Sequence, residues 1–527
     1  MKNVFLAVLA ACVAVLGLTA SASAQSPGRQ QALVGFAKTP GAAERAAVQR
    51  HGGNVRFAFP SVNAFAIDVA TDKIGALARE SGVRYVEDDP VREPLGLANT
   101  QLTPSLQNGL YGLITTDTVD AHSRGATGAG VKACVADTGL DTGHPDIAPN
   151  FFGGFDAIDG DGNVDVFDDG VAATETHGTH VAGTVLAADN TVGVLGVAPS
   201  ADLYHARVLG TNPDGSVTGS TSEVMAGVQW LADQGCRVVN MSLGGGSPSR
   251  TEKALYAELH AAGTLIVAAA GNDGRGRLSN PAAYESVVSV AAVDVNNAIA
   301  SFSNTGKGLD LAAPGVLVLS SVSTGFGSEA SLSSGASTHR AFGLEFAGRT
   351  AGFTDTLVSC GTAAAAGDCV GEPADGSWVA LIQRGGNSFA EKVENAMADG
   401  ADAAIIYNNA AGDFVGTLGS ETTSGGSAWI PAVSVSDTTG AALTGQVGGT
   451  ATVVNMASSW DHFDGTSMAT PHVSGIAALV FGANPARTPT QVESILKSTA
   501  QDLGKAGYDT TFGFGIPQAD AAVLAAP

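Results

Sequence analysis

Five short stretches of this 527-residue chain, 131–136, 202–209, 237–243, 265–270 and 287–293, are apolar with little interruption. A strand with one wet face alternates apolar and polar side chains. Near-continuous apolar strands belong instead in a parallel sheet covered on both faces. Helix candidates fall between them at 177–188, 221–234 and 251–262. In the last of these Ala254, Leu255, Leu259 and Ala262 recur at helical spacing. The expected fold is therefore α/β, a doubly wound and mostly parallel sheet, with its site at the carboxyl ends of the strands.

This pattern covers residues 105–322 and resumes over 459–527, ending in a helix at 490–498. Residues 325–455 differ: Ser, Thr, Gly and Ala dominate, with short strands at 379–382, 403–407 and 432–435. One helix carries Phe389, Val393, Ala396 and Met397 on a single face. This stretch reads as a β-rich inserted domain. Residues 31–92, within a segment 25–98, read as a small α+β unit. Its strands are at 31–36, 62–69 and 83–86, and its helices at 42–51 and 73–79. The stretch 91–104 reads as a loose connection.

Residues 1–24 have the form of an export signal: Lys2, an apolar run over 5–18, and Ala22-Ser23-Ala24 as a cleavage site before Gln25. A secreted protein is expected, and no later stretch is apolar enough to span a bilayer. Four cysteines remain after the signal, an even number as an oxidising compartment favours. Cys360 and Cys369 are expected to pair. Cys134 and Cys236 either bridge neighbouring strands or are buried small hydrophobes. The formal net charge of −24 argues against nucleic acid or an anionic membrane as partner.

Three motifs carry chemistry. In Val131-Lys-Ala-Cys-Val-Ala-Asp137-Thr-Gly an apolar strand ends in a carboxylate at the mouth of the sheet. Alone, Asp137 would read as a turn cap. In His177-Gly-Thr-His180-Val-Ala-Gly-Thr184 a helix opens on an imidazole. His177 and His180 share a face, but no Glu lies between them as in H-E-x-x-H, and His180 reads as structural. In Phe463-Asp-Gly465-Thr-Ser467-Met-Ala-Thr-Pro-His472 a tight turn delivers a serine to a helix N-terminus, where free amides favour negative charge. Hydroxyl attack needs a base, and the base needs a carboxylate to orient it.

Together and in this order the motifs closely resemble the subtilase family of serine endopeptidases. The resemblance implies that Asp137 orients the imidazole, that His177 is general base then acid, and that Ser467 is the nucleophile. Ala268-Ala-Ala-Gly271-Asn272 resembles the oxyanion-hole segment, with Asn272 as donor. Ser242, Leu243 and Gly244, with Ala269, Ala270 and Gly271, would bind the substrate backbone and line the pocket for the side chain before the cut. Small residues there imply broad specificity with a preference for large apolar side chains. Ser279 would narrow the rim of that pocket.

The same resemblance implies structural calcium, held by side chains of Gln107, Asp146 and Asn190 and carbonyls of Ala188, Val192 and Val194. Oxygen-only ligation suits calcium. The run Asp159-Gly-Asp161-Gly-Asn163-Val-Asp165 is either a second such loop or a solvated acidic one. Residues 31–92 resemble the family's inhibitory prosegment, notably Gly82-Val-Arg-Tyr-Val-Glu-Asp-Asp-Pro90, with cleavage expected within 91–104. Residues 378–409 resemble a protease-associated (PA) domain. The implied partners are protein or peptide substrates and the chain's own prosegment, and a monomer is expected. Two rivals stand beside the broad endopeptidase: a narrow processing protease, and a catalytically silent binding protein that works through its insert.

Overall fold

The computed structural model describes residues 28–527 except 96, 100–109, 372, 374, 375 and 421, with the backbone alone for 97–99. The expected export signal and Gln107 lie outside the described residues. Among those described, no helix is long and apolar enough to cross a membrane.

The centre is a seven-stranded sheet. Its order is Leu311–Pro314, Val287–Val293, Leu265–Ala269, Val238–Met241, Ala133–Asp137, Leu203–Arg207 and Phe151–Asp156. All six pairings are parallel. Successive strand residues point to opposite faces, and each face has its own core. Val135, Val238 and Val267 join the helices His177–Leu186 and Thr466–Ala483. Cys134, Ala136, Val239 and Ile266 join Thr221–Asp233 and Arg250–Ala262. Both faces are thus dry, which is why the strands read as unbroken apolar runs. The sheet has two edge strands that the apolar pattern does not announce. Phe151–Asp156 contains two glycines and shifts register, and Leu311–Pro314 ends in a proline that only an edge tolerates.

Strand order reverses between Ala133–Asp137 and Val238–Met241, so the loops after these neighbours leave in opposite directions and open a crevice. Cys134 and Cys236 form a disulfide that ties the two strands together across 102 residues of sequence. Cys360 and Cys369 form the other.

The N-terminal unit is a four-stranded antiparallel sheet ordered Asn54–Phe59, Ala64–Ala70, Arg29–Phe36 and Val83–Asp88. The first of these strands is absent from the sequence reading, because its residues are only half-buried. One face packs on the unit's own helices, Ala42–Arg50 and Ile74–Leu77, through Val34, Phe65, Val48 and Leu77. The other sets Leu33, Phe59, Ala64 and Ala66 against the core that holds Met225 and Tyr256.

Polar anchors flank this contact. Glu87 accepts from the amides of Arg250 and Thr251 (3.2 and 2.9 Å). Asp89 accepts from the Ser222 amide (2.8 Å). Each carboxylate thus caps a helix N-terminus of the main body.

The expectation of a loose connection over 91–104 is corrected where residues are described. Val91–Pro94 is a strand lying antiparallel between Val217–Ser220 and Leu243–Gly244. Leu97–Asn99 pairs with Trp460–Asp464. Their partners lie more than a hundred residues away, so no local pattern marks either segment as a strand.

The insert is an eight-stranded mixed sheet with two cores of its own. Trp378–Gln383, Ala403–Tyr407 and Ala432–Val435 run parallel at its centre. Gly327–Ser334 and Thr450–Ser458 pair antiparallel along most of their length. Their Ser- and Thr-rich sequences carry little strand signal.

Removing the Cys134–Cys236 bridge should lower stability by about 2–5 kcal/mol, since it constrains a long loop of the unfolded chain. Thermal unfolding of Cys134→Ala/Cys236→Ala in a Ser467→Ala background, which prevents self-digestion, measures this.

Candidate active site

Ser467 is the second residue of Thr466–Ala483, a helix buried along almost its whole length. Gly465 precedes it with φ of 155°, a conformation that favours glycine, and so turns the chain sharply into the helix. Pro471 sits inside the helix and has no N–H to give the Ser467 carbonyl. That carbonyl accepts instead from Ser242 Oγ (2.7 Å). Asn240 Nδ2 donates to Ser242 Oγ (2.9 Å), and Ser474 Oγ donates to Asn240 Oδ1 (2.8 Å). This buried chain of hydrogen bonds locks the helix start onto the end of the strand Val238–Met241.

Asp137 ends its strand fully buried, and its Oδ1 accepts from His177 Nδ1 (2.6 Å) and from the Thr138 amide (2.8 Å). His177 opens the helix His177–Leu186. Thr138 Oγ1 accepts from the Gly178 amide (2.8 Å). A Cβ on Gly178 would meet the Gly139 carbonyl at 2.5 Å, so the glycine after His177 lets the helix start lie against the strand end. His177 Nε2 makes no hydrogen bond among the described residues. Ser467 Oγ donates to the Ser242 carbonyl (2.8 Å). The structure therefore pairs Asp137 with His177 but does not join His177 to Ser467, a contact that often tightens only around substrate.

Asn272 lies just past the strand Leu265–Ala269. Its Oδ1 accepts from both the amide and the hydroxyl of Thr466 (2.9 Å each). This turns Nδ2 toward the cleft, where it donates to the carbonyl of Leu95 (2.8 Å). The Ser467 amide donates to the same oxygen (3.2 Å). The Leu95 amide donates to the Ser242 carbonyl (3.2 Å), and Leu243 and Gly244 pair with Pro94 and Glu93.

The side chain of Leu95 fills the space that Gly244 leaves open: a Cβ there would meet Leu95 Cδ1 at 2.9 Å and Ser279 Cβ at 3.4 Å. Ala269 and Ala270 are fully buried, and a Cβ on Gly271 would meet Ser279 Oγ at 2.4 Å. Ser242, Leu243 and Gly244 thus meet the segment that ends at Leu95, and Gly271 lies against Ser279 beside it, while Ala270 packs into a core with Ala291 and Ile516.

Asp146 is fully buried. Its Oδ2 accepts from Trp460 Nε1 (2.7 Å), the Val194 amide and Ser321 Oγ (3.1 Å each). Its Oδ1 receives Asn190 Nδ2 at 3.3 Å. The loop bearing the carbonyls of Ala188, Val192 and Val194 closes on the same carboxylate, with the Ala188 amide on the Asp146 carbonyl (2.9 Å). A carboxylate, a side-chain amide oxygen and backbone carbonyls are the hard oxygens that calcium takes, and Asn190 Oδ1 here accepts from the Val192 amide (2.8 Å). Beside the acidic loop, Asp156, Asp159 and Asp161 bring carboxylate oxygens within 4.8 Å of one another. Asp156, Asp159 and Asp169 converge on Nη1 of Arg207, whose Nε and Nη2 hold Glu175 (2.8 and 3.0 Å). Burial raises Asp169 to about 6.

His180 and His472 are structural. His180 Nε2 bonds the Val318 carbonyl (2.9 Å) and the ring stacks on Phe463. Burial holds His180 well below its ordinary value and brings His472 to about 4.

Three groups escape motif reading. Thr466 orients Asn272. Glu175, which also accepts from the Gly139 amide (3.1 Å), braces the turn after Asp137. Arg207 balances Glu175. A lone arginine within an apolar strand run is the sequence signal that a buried carboxylate lies nearby.

The subtilase family pattern matches residues 128–384 and 438–515, and the PA domain pattern matches 353–443. An alkaline protease of Shouchella clausii is 40% identical over 262 residues, which is 50% of this chain and 63% of that protein. Subtilisin E of Bacillus subtilis is 35% identical over 321 residues, 59% of this chain and 78% of that protein. Among solved structures, the subtilisin-like protease Apa1 of Pseudoalteromonas sp. AS-11 superposes with a TM-score of 0.58 at 31% identity, covering 80% of this chain and 98% of that one. Fervidolysin of Fervidobacterium pennivorans shares the fold at 24% identity, with a TM-score of 0.60 over 94% of this chain and 61% of its own.

Proposed function

The chain belongs to the subtilase family and carries a PA domain within it, and from that premise we propose that it is a secreted serine endopeptidase held inactive by its own N-terminal unit. One observation carries the reading. The Leu95 carbonyl sits on Asn272 Nδ2 and the Ser467 amide, while the chain before it runs as a strand through the cleft. These are the two donors that a carbonyl under attack would take.

In this reading Ser467 Oγ adds to the carbonyl carbon and His177 Nε2 takes its proton. Asp137, bonded to Nδ1, holds the imidazole in orientation and stabilises its charged form. The oxyanion develops between Asn272 Nδ2 and the Ser467 amide. His177 then protonates the leaving amine, and water releases the acyl group by the reverse sequence. The Leu pocket supports a preference for large apolar side chains before the cut. The bond first cleaved is Leu95–Gly96, after which residues 28–95 remain as a competitive plug.

The wild-type protein should mature to a chain beginning at Gly96 and digest casein, and Ser467→Ala should do neither. N-terminal sequencing and casein hydrolysis read both. A folded wild type that neither matures nor reacts with a serine-directed phosphonyl fluoride would sink this reading and favour the silent binding protein. Asn272→Ala should lower kcat by about 10²–10³, a magnitude that comes from subtilisin, a member of the same family.

Release of the plug should depend on pH. Burial raises Asp89 to about 6 from its ordinary 3.8, with Ser222, Arg56 and Glu223 around it. A carboxyl whose value is higher when docked favours docking fully below about pH 4 and loses that contribution as pH rises through about 6. The plug should therefore bind more weakly at pH 7 than at pH 4.5. Asp89→Asn should flatten this difference in the inhibition constant.

Calcium at Asp146, Asn190 and the 188–194 carbonyls would brace this surface loop. Chelation should lower the unfolding temperature of the mature form, and added calcium should restore it.

A further inference from the structure

The proposed plug reveals more than the cleaved bond. Counting back from Leu95, Arg92 is the fourth residue before the cut. Its backbone pairs with Gly219, and its side chain is fully buried. The guanidinium meets Glu252 Oε2 at 2.6 Å, with both side chains completely hidden from solvent. Its Nη1 also donates to the Gly245 carbonyl (2.8 Å). Tyr284 Oη donates to Glu252 Oε2 (2.7 Å) and Tyr256 Oη to Oε1 (3.3 Å). Burial beside Glu252 raises both phenols, so they remain donors.

Glu252 lies in the first turn of the helix Arg250–Ala262 and belongs to the body that stays when the plug leaves. Arg92 belongs to the part that goes. The main body then holds a carboxylate in a tyrosine-walled recess without its cation. Two neutral phenols do not replace a full positive charge, and a carboxylate desolvated without a partner is strongly disfavoured. An incoming substrate that brings a cation to this recess restores the pair. One that brings an alkyl side chain desolvates the carboxylate and leaves it unpaired.

We propose that Glu252 makes the fourth subsite before the scissile bond selective for arginine, so that this endopeptidase prefers substrates with a cationic side chain three residues before an apolar one. The proposal rests on the endopeptidase reading above and narrows its substrate class. Arginine is favoured over lysine, because the guanidinium reaches Glu252 and the Gly245 carbonyl through two nitrogens at once.

The test uses mature wild-type enzyme and chromogenic peptides of sequence X-Ala-Pro-Leu, with X as Arg, Lys or Ala. Arg should exceed Ala in kcat/KM by about 10–100-fold, the range of a hydrogen bond to a charged group, with Lys between them. Glu252→Gln should bring the Arg and Ala peptides to the same kcat/KM. Equal cleavage of the Arg and Ala peptides by wild type would overturn the proposal and leave the endopeptidase reading standing. So would a preference for Arg that survives Glu252→Gln. Cleavage of no peptide at all would overturn both. The wild-type comparison needs no variant, so misfolding of Glu252→Gln cannot obscure the result.

Discussion

The helix Thr466–Ala483 has no wet face, and most of the molecule is arranged around that fact. It packs between the sheet and the helix His177–Leu186, so its side chains are apolar or small on nearly every side, His472 being satisfied by the Met468 carbonyl. A Cβ on Gly475 would meet Val197 Cβ at 2.4 Å, which shows how closely the neighbouring chain approaches. Apart from the break that Pro471 makes, a helix so enclosed satisfies its backbone internally except at its ends. Its free amides therefore face the crevice where strand order reverses. The amide of Ser467 is one of them, and the missing N–H of Pro471 leaves the Ser467 carbonyl for Ser242 to hold. The Ser467 side chain and amide are positioned by burial first and by hydrogen bonds second.

Around this frame, several buried carboxylates are held by polar partners, and some of these sets join the N-terminal unit to the main body. Asp137 with His177, and Glu175 with Arg207, lie wholly within the main body. They brace the turn that follows the first strand of the large sheet. Arg92 with Glu252, and the capping of two helices by Glu87 and Asp89, join the main body to the N-terminal unit. A purely apolar contact would be hard to release without exposing a large dry patch on both partners. Helix N-termini and a single carboxylate recess hydrate readily when uncovered, so polar anchors would suit the release proposed for this unit.

The parallel sheet was legible because burial on both faces leaves a local mark, the unbroken apolar run. Asp137, His177 and Ser467 were legible because each stands where a strand or helix begins or ends, within a short characteristic string. The strand Val91–Pro94 left no such mark. Arg-Glu-Pro is an unpromising strand sequence, and it becomes one only because edges on both sides offer it hydrogen bonds. The Ser- and Thr-rich strands of the insert were missed for a related reason, since their pairing rather than their side chains determines their conformation. The pairing of Glu252 with Arg92 leaves no local mark, because a glutamate early in a helix is an ordinary capping choice.

By itself the sequence determined the fold class, the residues of the three motifs, and the presence of an N-terminal unit and an insert. All of these follow from periodicity or from short strings of adjacent residues. Only the tertiary structure decided that the Leu95 carbonyl meets the Ser467 amide, that Cys134 and Cys236 join, and that Arg92 is matched to Glu252. Those outcomes bring together residues about 100 to 370 positions apart. Spatial proximity across such separations is set by how the layers pack, and a chain carries no local record of it.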